Sequence, residues 1–302
     1  MRVRNLDTFY WIASLGSFRA AAEKLNLTQP AVSARIQVLE QDLGTEVFER
    51  EVRNAELTSD GRRLLAYAER LMNLEQDVLA AFATTANVRQ TIRLGASETI
   101  VSTWLPDFMG HLNQSRPHLS FDLRVDSTDN LRNALVAREV DLALLMGPVA
   151  EVSVTNCELC AYEMIFAASR DIAGLHAEWT LDDIAGQSVL TFASNTKPSR
   201  QIRELLVQNS SQLPDMTTST SLGALIRLAK SGMGICAVPR AVIEAELTAG
   251  ELVPLATQVR LPEIAFTASY VSGSPANKLM NDICESAVAF IDDRLIENIY
   301  QV

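Results

Sequence analysis

Two cysteines are spaced as in metal-binding and thiol-redox sites. Cys157 and Cys160 form a C-x-x-C pair. A structural zinc site needs further ligands close by, and the histidines at positions 111, 118 and 176 form no such cluster in the sequence. We therefore expect no metal site and no cofactor, and we interpret the pair as two residues of an apolar strand.

Motifs of the common enzyme classes are absent from the sequence. We find no G-x-S-x-G nucleophile turn, no glycine-rich phosphate loop and no histidine beside a plausible nucleophile. We predict no catalytic residues and expect that the protein is not an enzyme.

Small polar side chains share one face of a helix predicted to follow Thr28. The face expected to be buried carries Val32, Ile36, Leu39 and Leu43, and the opposite face carries Pro30, Ser33, Ala34, Gln37 and Gln41. Such a shallow polar face can enter a major groove, where amides and hydroxyls contact base edges. Gln29 begins this helix, at the end where recognition helices meet bases, and Arg35 lies off the face and suits a phosphate. On periodicity alone, an ordinary solvated face remains the alternative.

The segments around this helix predict a winged helix–turn–helix over residues 1–60, with the helix–turn–helix at 18–37. Apolar residues with helical spacing mark two earlier helices: Leu6, Phe9, Tyr10 and Ala13, then Phe18, Ala21, Ala22 and Leu25. Ser17 can cap the second helix, and Gly16 and Gly44 are expected to end the first and third. A short hairpin is indicated by Val47, Phe48, Val52 and Leu57, with Arg53 and Asn54 at its turn.

Bulk charge does not identify a nucleic-acid binder. The net charge is −11; residues 1–90 hold 11 basic and 12 acidic side chains, whereas residues 91–302 hold 15 and 25. The acidity belongs to the C-terminal part, but the N-terminal part is not basic either. DNA binding therefore rests on geometry rather than on charge.

A heptad pattern follows in residues 58–90, which we interpret as a linker helix and hinge. Leu64, Leu71 and Val78 repeat every seven residues, as do Leu65, Met72 and Leu79. The pattern is long enough to pair two chains, and the alternative is a core helix packed on its own domain. Thr58 or Ser59 can cap its start.

Residues 91–302 alternate strand and helix patterns, which predicts an α/β domain with parallel sheets. Hydroxyl, amide and other small residues follow several strands or precede a helix: Ser97 and Thr99, Ser127 and Thr128, Met146 and Gly147, Ser194, Asn195 and Thr196, and Thr220 and Ser221. Each alone is more typical of a helix cap, but together they indicate one cleft at the carboxyl ends of the strands. Their hydroxyls suit an anion. Glu98, Asp126 and Asp129 instead suit a cationic amine, with Lys197 the one nearby base, so the charge of the ligand stays open.

The run from Phe18 to Gly44, FRAAAEKLNLTQPAVSARIQVLEQDLG, closely resembles the helix–turn–helix of LysR-type transcriptional regulators. The resemblance implies contacts with promoter or operator DNA from this helix and from the wing. We list as DNA-binding residues Thr28, Gln29, Pro30, Ser33, Arg35, Gln37 and Arg53. LysR-type proteins pair through a linker helix, so the resemblance also implies a homodimer or homotetramer.

The stretch from Lys230 to Pro239, KSGMGICAVP, is similar to a frequent stretch of LysR effector domains. Those domains look like the two-lobed periplasmic binding protein fold (type 2), and residues 91–302 are expected to adopt it. Lobe 1 is expected to hold residues 91–161 and 266–302, and lobe 2 residues 162–265, with crossings near 160–162 and 264–266. The effector residues we predict are Ser97, Thr99, Ser127, Thr128, Met146, Ser194, Asn195, Thr196 and Ser221.

Together these features predict a transcription regulator switched by a small molecule bound between the lobes. Effectors of the family are often small carboxylates or aromatic acids. A binding or transport component with the same two-lobed fold is the second hypothesis, and the winged motif counts against it. With no apolar signal segment after Met1 and no apolar run of about 18 residues, we expect a cytoplasmic protein without a membrane partner.

Overall fold

A computed structural model describes residues 2–49, 55–82, 90–272 and 277–299. The chain divides into one unit of residues 1–84 and a second of residues 85–302. In the described ranges, no helix has both the length and the apolar composition needed to cross a membrane.

The N-terminal unit contains the helices α1 (Val3–Leu15), α2 (Phe18–Lys24), α3 (Gln29–Leu43) and α4 (Ser59–Phe82). Gly16 and Gly44 end α1 and α3 with φ angles of 62° and 71°, a left-handed conformation that glycine adopts without strain. The Ala20 amide donates to Ser17 Oγ at 3.3 Å, which confirms the predicted cap of α2. Thr28 occupies the corresponding position before α3, but its side chain forms no cap hydrogen bond.

Aromatic packing joins α1 and α2 to the segment that follows α3. The ring of Phe48 lies 5.3 Å from that of Phe9 and 5.2 Å from that of Phe18. Phe48 also forms an antiparallel bridge with Leu57, the described part of the predicted hairpin. Arg53 and Asn54, predicted at its turn, lie outside the described residues.

One residue of the predicted buried face of α3 is exposed. Val32, Ile36 and Leu39 are buried as expected, but Leu43 is 38% exposed. The prediction for Leu43 is therefore wrong. Leu43 is the last residue of α3, next to the turn at Gly44. Because the helix ends there, Leu43 lies at the edge of the core and not within it.

The described residues of the C-terminal unit form two five-stranded sheets. The first contains β1 (Gln90–Ala96), β2 (Leu119–Val125), β3 (Leu142–Met146), β4 (Val154–Tyr162) and β10 (Ile264–Val271), in the order β2-β1-β3-β10-β4. The second contains β5 (Met164–Ala168), β6 (Ser188–Phe192), β7 (Asp215–Ser219), β8 (Ile235–Pro239) and β9 (Val253–Pro254), in the order β7-β6-β8-β5-β9. We call the parts built on these sheets lobe 1 and lobe 2.

Helices connect strands in both lobes, and the last helix follows the final strand, β10. They are α5 (Glu98–Val101), α6 (Leu105–Ser115), α7 (Thr128–Val136), α8 (Arg170–Ala173), α9 (Leu181–Ala185), α10 (Lys197–Asn209), α11 (Leu222–Lys230), α12 (Glu244–Ala249) and α13 (Asn277–Ile299), with a 3₁₀ turn at Arg240–Val242. α6, between β1 and β2, and α10, between β6 and β7, are crossovers that join neighbouring parallel strands.

Both sheets are mixed, whereas the sequence predicted parallel sheets. β10 runs antiparallel to β3 and β4, and β5 runs antiparallel to β8 and β9. β4 leaves lobe 1 and β10 re-enters it, so the two strands run in opposite directions. The chain crosses between Tyr162 and Met164 and again between Pro254 and Ile264. Residues 162, 264 and 265, expected in lobe 2, therefore belong to the sheet of lobe 1.

Candidate ligand cleft and nucleic-acid interface

A cavity of about 700 Å³ lies where strands from both lobes end. Segments that follow β1, β2 and β3 line it from lobe 1, and segments that follow β6 and β7 line it from lobe 2. Carboxyl ends of parallel strands are where open α/β sheets bind ligands, and the size suits a small organic molecule.

Six of the nine predicted effector residues line this cavity: Ser97, Thr99, Ser127, Thr128, Met146 and Thr196. The other three do not belong to the lining. Ser194 and Asn195 are exposed in the turn before α10. Ser221 caps α11, because its Oγ accepts from the Ala224 amide at 3.3 Å. Ser221 is therefore the N-cap of α11.

Two basic residues of lobe 2 make one wall of the cavity positively charged. Lys197 and Arg200 lie in the first turn of α10, and both line the cavity. Arg200 Nη1 donates to the Asn195 carbonyl at 2.7 Å, but neither cation has an acidic partner among the described residues. The Thr196 hydroxyl donates to the Ala193 carbonyl at 2.7 Å, so the α10 N-terminus has no side-chain cap. Unsatisfied amides and two cations without an acidic partner in the described part of the chain make this wall receptive to an anion.

Four further residues that line the cavity were not predicted from the sequence: Arg132, Arg200 and the aromatic residues Phe192 and Phe266. Arg200 could have been found from Lys197, because residues three apart share a helix face. Phe266 could not, since it reaches the cavity from β10, the strand that returns from the other lobe.

Acidic residues line the lobe 1 wall. The Asp126 carboxylate accepts from Asn130 Nδ2 at 2.6 Å, from the Ser127 amide at 2.8 Å and from Arg124 Nη2 at 3.3 Å. Burial acts to raise the pKa of Asp126, but these hydrogen bonds together outweigh burial and hold the pKa below its ordinary value. Asp126 is therefore negatively charged at neutral pH.

A buried hydroxyl lies against the same cavity without a hydrogen-bond partner. Ser97 is only 9% exposed, and its Oγ forms no hydrogen bond with the described residues. A buried polar atom without a partner costs free energy. Ser97 Oγ is therefore available to a bound ligand.

Glu98 connects the two lobes across the cavity. It lies in α5 of lobe 1, and its carboxylate accepts from the Leu222 amide at 2.7 Å and the Gly223 amide at 3.4 Å, in the first turn of α11 in lobe 2. The Ser221 hydroxyl also donates to Glu98, at 3.4 Å. A carboxylate is the group that a helix N-terminus favours, so this anion position is already occupied by the protein itself.

A loop after β3 forms part of the cavity lining, and Asn156 of β4 forms two hydrogen bonds with its backbone. Its Oδ1 accepts from the Val149 amide at 2.9 Å, and its Nδ2 donates to the Val149 carbonyl at 2.9 Å. Gly147 begins this loop, and a side chain there would collide with Thr267. The loop position is therefore set by packing against β4 and β10.

The cysteine pair lies in β4, as interpreted from the sequence. Burial raises the pKa of both Cys157 and Cys160, which disfavours their reactive thiolates. Within the described residues, no group of histidine, cysteine and acidic side chains is placed to hold a metal ion.

The start of α3 presents the polar face that the sequence predicted. Thr28, Gln29, Pro30 and Gln37 are exposed, and Ser33 is half-buried. Arg35 is also half-buried, and its Nη1 donates to Thr8 Oγ1 of α1 at 3.1 Å. Arg35 therefore helps to fasten α3 to α1.

Comparison with known proteins decides the family. Residues 3–62 match the bacterial regulatory helix-turn-helix protein model of the lysR family, and residues 85–290 match the LysR substrate binding domain. The chain belongs to the LysR family. It is a DNA-binding transcription regulator with an effector-binding domain, and family members are not enzymes.

Relatives of this LysR-family chain include regulators and solved structures. The HTH-type transcriptional regulator GltR of Bacillus subtilis is 27% identical over 253 residues, which cover 83% of this chain and 84% of GltR. Full-length CbnR, solved with its target DNA, has a TM-score of 0.68 and 19% identity, and the match covers 96% of this chain and 100% of CbnR. Full-length LysG of Corynebacterium glutamicum, solved with bound effector Arg, has a TM-score of 0.61 and 20% identity, with coverages of 96% and 99%. The two structures show that this chain shares the LysR fold.

Proposed function

We propose that this LysR-type regulator contacts operator DNA as a homodimer through the first turn of α3 and is switched by a small carboxylate. The carboxylate is bound at the N-terminus of α10, in the cavity between the lobes. The protein acts in the cytoplasm, where bacterial DNA is accessible.

The observation that carries this proposal is a pair of cations, Lys197 and Arg200, which have no acidic partner among the described residues and lie at a helix N-terminus without a side-chain cap. On the sequence alone, an amine was an equal alternative, because three acids lie nearby. Two of these acids have partners: Glu98 accepts from α11, and Asp126 accepts from Arg124 and Asn130. The cations at α10 are therefore the least compensated charges in the cavity, and they favour a negatively charged ligand.

The bound carboxylate acts by changing the balance between two arrangements of the lobes. A ligand can shift such an equilibrium only by its differential affinity for the two states. A carboxylate bound at α10 of lobe 2 can also contact Ser97 or Ser127 of lobe 1. Such a ligand has a higher affinity for the arrangement in which both lobes contact it, and it therefore stabilises that arrangement. The arrangement of paired effector domains then sets the spacing of the two DNA-binding units.

Contact with DNA is proposed for the exposed start of α3, with Thr28, Gln29, Pro30, Ser33 and Gln37 facing bases or backbone. Arg35 contacts a phosphate with the donors that it does not use toward Thr8. Arg53 is proposed to contact the minor groove or a phosphate, on the family resemblance alone. CbnR, which shares this fold, was solved with its target DNA, and this supports the DNA-binding role.

The test uses the full-length protein, DNA from upstream of its own gene, and a panel of short-chain, aromatic and amino acids. We expect at least one acid to raise the melting temperature and alter the DNase footprint, because a ligand that prefers the folded state stabilises it. Replacing both cations, Lys197→Gln with Arg200→Gln, should weaken that acid at least about tenfold, or about 1.4 kcal/mol.

Arg203→Gln is the matched control, because Arg203 is an exposed residue of the same helix outside the cavity lining. It makes one of the same charge changes and should leave the affinity within about twofold. A stabilising acid whose affinity survives the double replacement would show that the carboxylate is not bound at α10.

A further inference from the structure

We infer that the effector is an α-amino acid, with its carboxylate at the N-terminus of α10 and its ammonium facing Asp126 and Asp129 of lobe 1. This inference rests on the proposed function, because it keeps the carboxylate position and adds a second, positively charged group to the ligand.

Charge is segregated between the two walls of the cavity. Among the described lining residues, lobe 2 contributes Lys197 and Arg200 and no acid, whereas all three acids come from lobe 1. Of the described cavity residues in lobe 1, Arg132 is the one cation, and it lies 4.0 Å from Asp129 and 3.9 Å from Glu151. The lobe 1 wall is therefore negative and the lobe 2 wall positive, as a zwitterion requires.

Glu98 determines which helix is open to the ligand carboxylate. Its own carboxylate occupies the first turn of α11. The N-terminus of α10 has no such occupant within the described chain. The ligand carboxylate is therefore directed to α10, and this orientation turns the rest of the ligand toward lobe 1.

Asp126 and Asp129 retain the capacity to bind an ammonium group. Asp126 Oδ1 accepts from the Ser127 amide and from Asn130, but Oδ2 accepts only from Arg124, at 3.3 Å. A carboxylate oxygen can accept two hydrogen bonds, so Oδ2 has room for an ammonium donor. The Asp129 side chain is 56% exposed, and its nearest cation is Arg132.

Ser97 supplies an independent sign that a polar ligand group belongs beside these acids. Its buried hydroxyl has no partner in the described part of the chain, and it lines the same cavity from lobe 1. A hydroxyl can accept from an ammonium or donate to a carboxylate. A zwitterion is therefore able to satisfy Ser97 as well as both charged walls.

Ligands with one charge leave part of this cavity uncompensated. A plain carboxylate would pair with α10 but bury Asp126 beside an uncharged group, and a plain amine would leave Lys197 and Arg200 unpaired. Each case carries a desolvation cost that the zwitterion avoids. The affinity of an amino acid should therefore exceed that of either half-molecule.

The experiment compares matched triads on the full-length protein. Thermal shift over the twenty common amino acids selects those that stabilise it, and calorimetry then compares each with its deaminated acid and its decarboxylated amine; for leucine these are 4-methylpentanoate and 3-methylbutylamine. We expect an amino acid to bind, its deaminated acid to bind at least about tenfold more weakly, and its amine to bind weakest.

Variants of Asp126 and Asp129 test whether the ammonium group binds to the lobe 1 wall. Asp129→Asn, and separately Asp126→Asn, should weaken the amino acid about tenfold while leaving the deaminated acid unchanged. Asp129 is exposed and accepts no structural hydrogen bond among those described, so this variant retains the fold even if Asp126→Asn does not. Asp122→Asn, an exposed position of β2 outside the cavity lining, is the matched control.

The outcomes separate this inference from the proposed function. If a deaminated acid binds as tightly as its amino acid, or if no amino acid stabilises the protein while a plain carboxylate does, the ligand is not a zwitterion and the carboxylate site stands. If amines bind and carboxylates do not, both fail. Amino-acid affinity that is insensitive to Asp126 and Asp129 also overturns the inference.

Discussion

Gln29 and Arg35 lie six positions apart on α3, and the structure gives them different environments. Gln29 is exposed in the first turn, whereas Arg35 is half-buried and donates to Thr8, a residue with no exposed surface. Thr8 in turn donates to the Arg4 carbonyl at 2.8 Å. Arg35 therefore has a structural bond that its sequence position did not predict, and Gln29 is the freer of the two to contact a base.

Replacing Gln29 by alanine tests that assignment. Gln29→Ala should weaken operator binding by about 5- to 150-fold, because an amide that contacts a base edge contributes about 1–3 kcal/mol of discrimination. Binding to random DNA should not change, since it depends on phosphate contacts. Fluorescence anisotropy on both DNAs measures this.

Gln41→Ala is the control for that experiment, because Gln41 is an exposed glutamine on the same predicted face, in the last turn of α3. It should alter operator affinity by less than about twofold. Equal losses on operator and random DNA for Gln29→Ala would contradict base contact.

At the scale of elements, α5 and α11 belong to different lobes and are joined through Glu98. The two residues of its strongest hydrogen bond, Glu98 and Leu222, are 124 positions apart in sequence. Ser221 caps α11 from within its own lobe. The first turn of α11 therefore has one local cap and one cap from the other lobe, and only the second depends on how the lobes meet.

Glu98→Ala should loosen the first turn of α11. We expect hydrogen exchange at the Leu222 amide to rise about 5- to 30-fold without effector, because losing a cap of this kind costs about 1–2 kcal/mol. Glu158→Ala, at an exposed position of β4, should leave that exchange rate unchanged. An unaltered rate in Glu98→Ala would show that the connection between lobes is not formed in solution.

At the scale of the whole molecule, α4 carries two kinds of apolar residues. Leu64, Leu65 and Leu71, half of the predicted heptad positions, pack against the core of their own unit. Tyr67, Leu74 and Val78 are instead 60%, 54% and 51% exposed. Positions separated by seven and four residues share a helix face, so these three form a stripe. We propose that a second copy of the chain covers this stripe.

Charged residues on this stripe should separate the dimer. Leu74→Glu with Val78→Glu should give a smaller particle by analytical ultracentrifugation, and operator affinity should fall more than tenfold because one unit contacts only one half-site. Val152→Glu replaces a fully exposed apolar residue outside α4 and should keep the wild-type mass. An unchanged mass for the α4 variant would place the pairing surface elsewhere.

Local rules explain why so many elements were predictable. Gly16, Ser17 and Gly44 act as predicted, and α3 follows Thr28 as its periodicity predicted, because capping and periodicity involve residues within four or five positions. The cysteine pair was correctly interpreted as part of a strand, β4, but the sequence did not predict that this strand lies at a sheet edge. β4 is an edge strand that pairs only with β10 among the described elements, and its mixed burial does not follow the apolar pattern of a central strand.

The amino-acid sequence by itself determined the family motif, the order of most elements, and five hydroxyl residues and one methionine of the cavity lining, because each depends on neighbours along the chain. Only the tertiary structure decided which charged groups are satisfied. Glu98 finds its partners in α11, whereas Lys197 and Arg200 have no acidic partner among the described residues. Pairing between charges depends on distances across the fold, and those distances arise when strands far apart in sequence become neighbours.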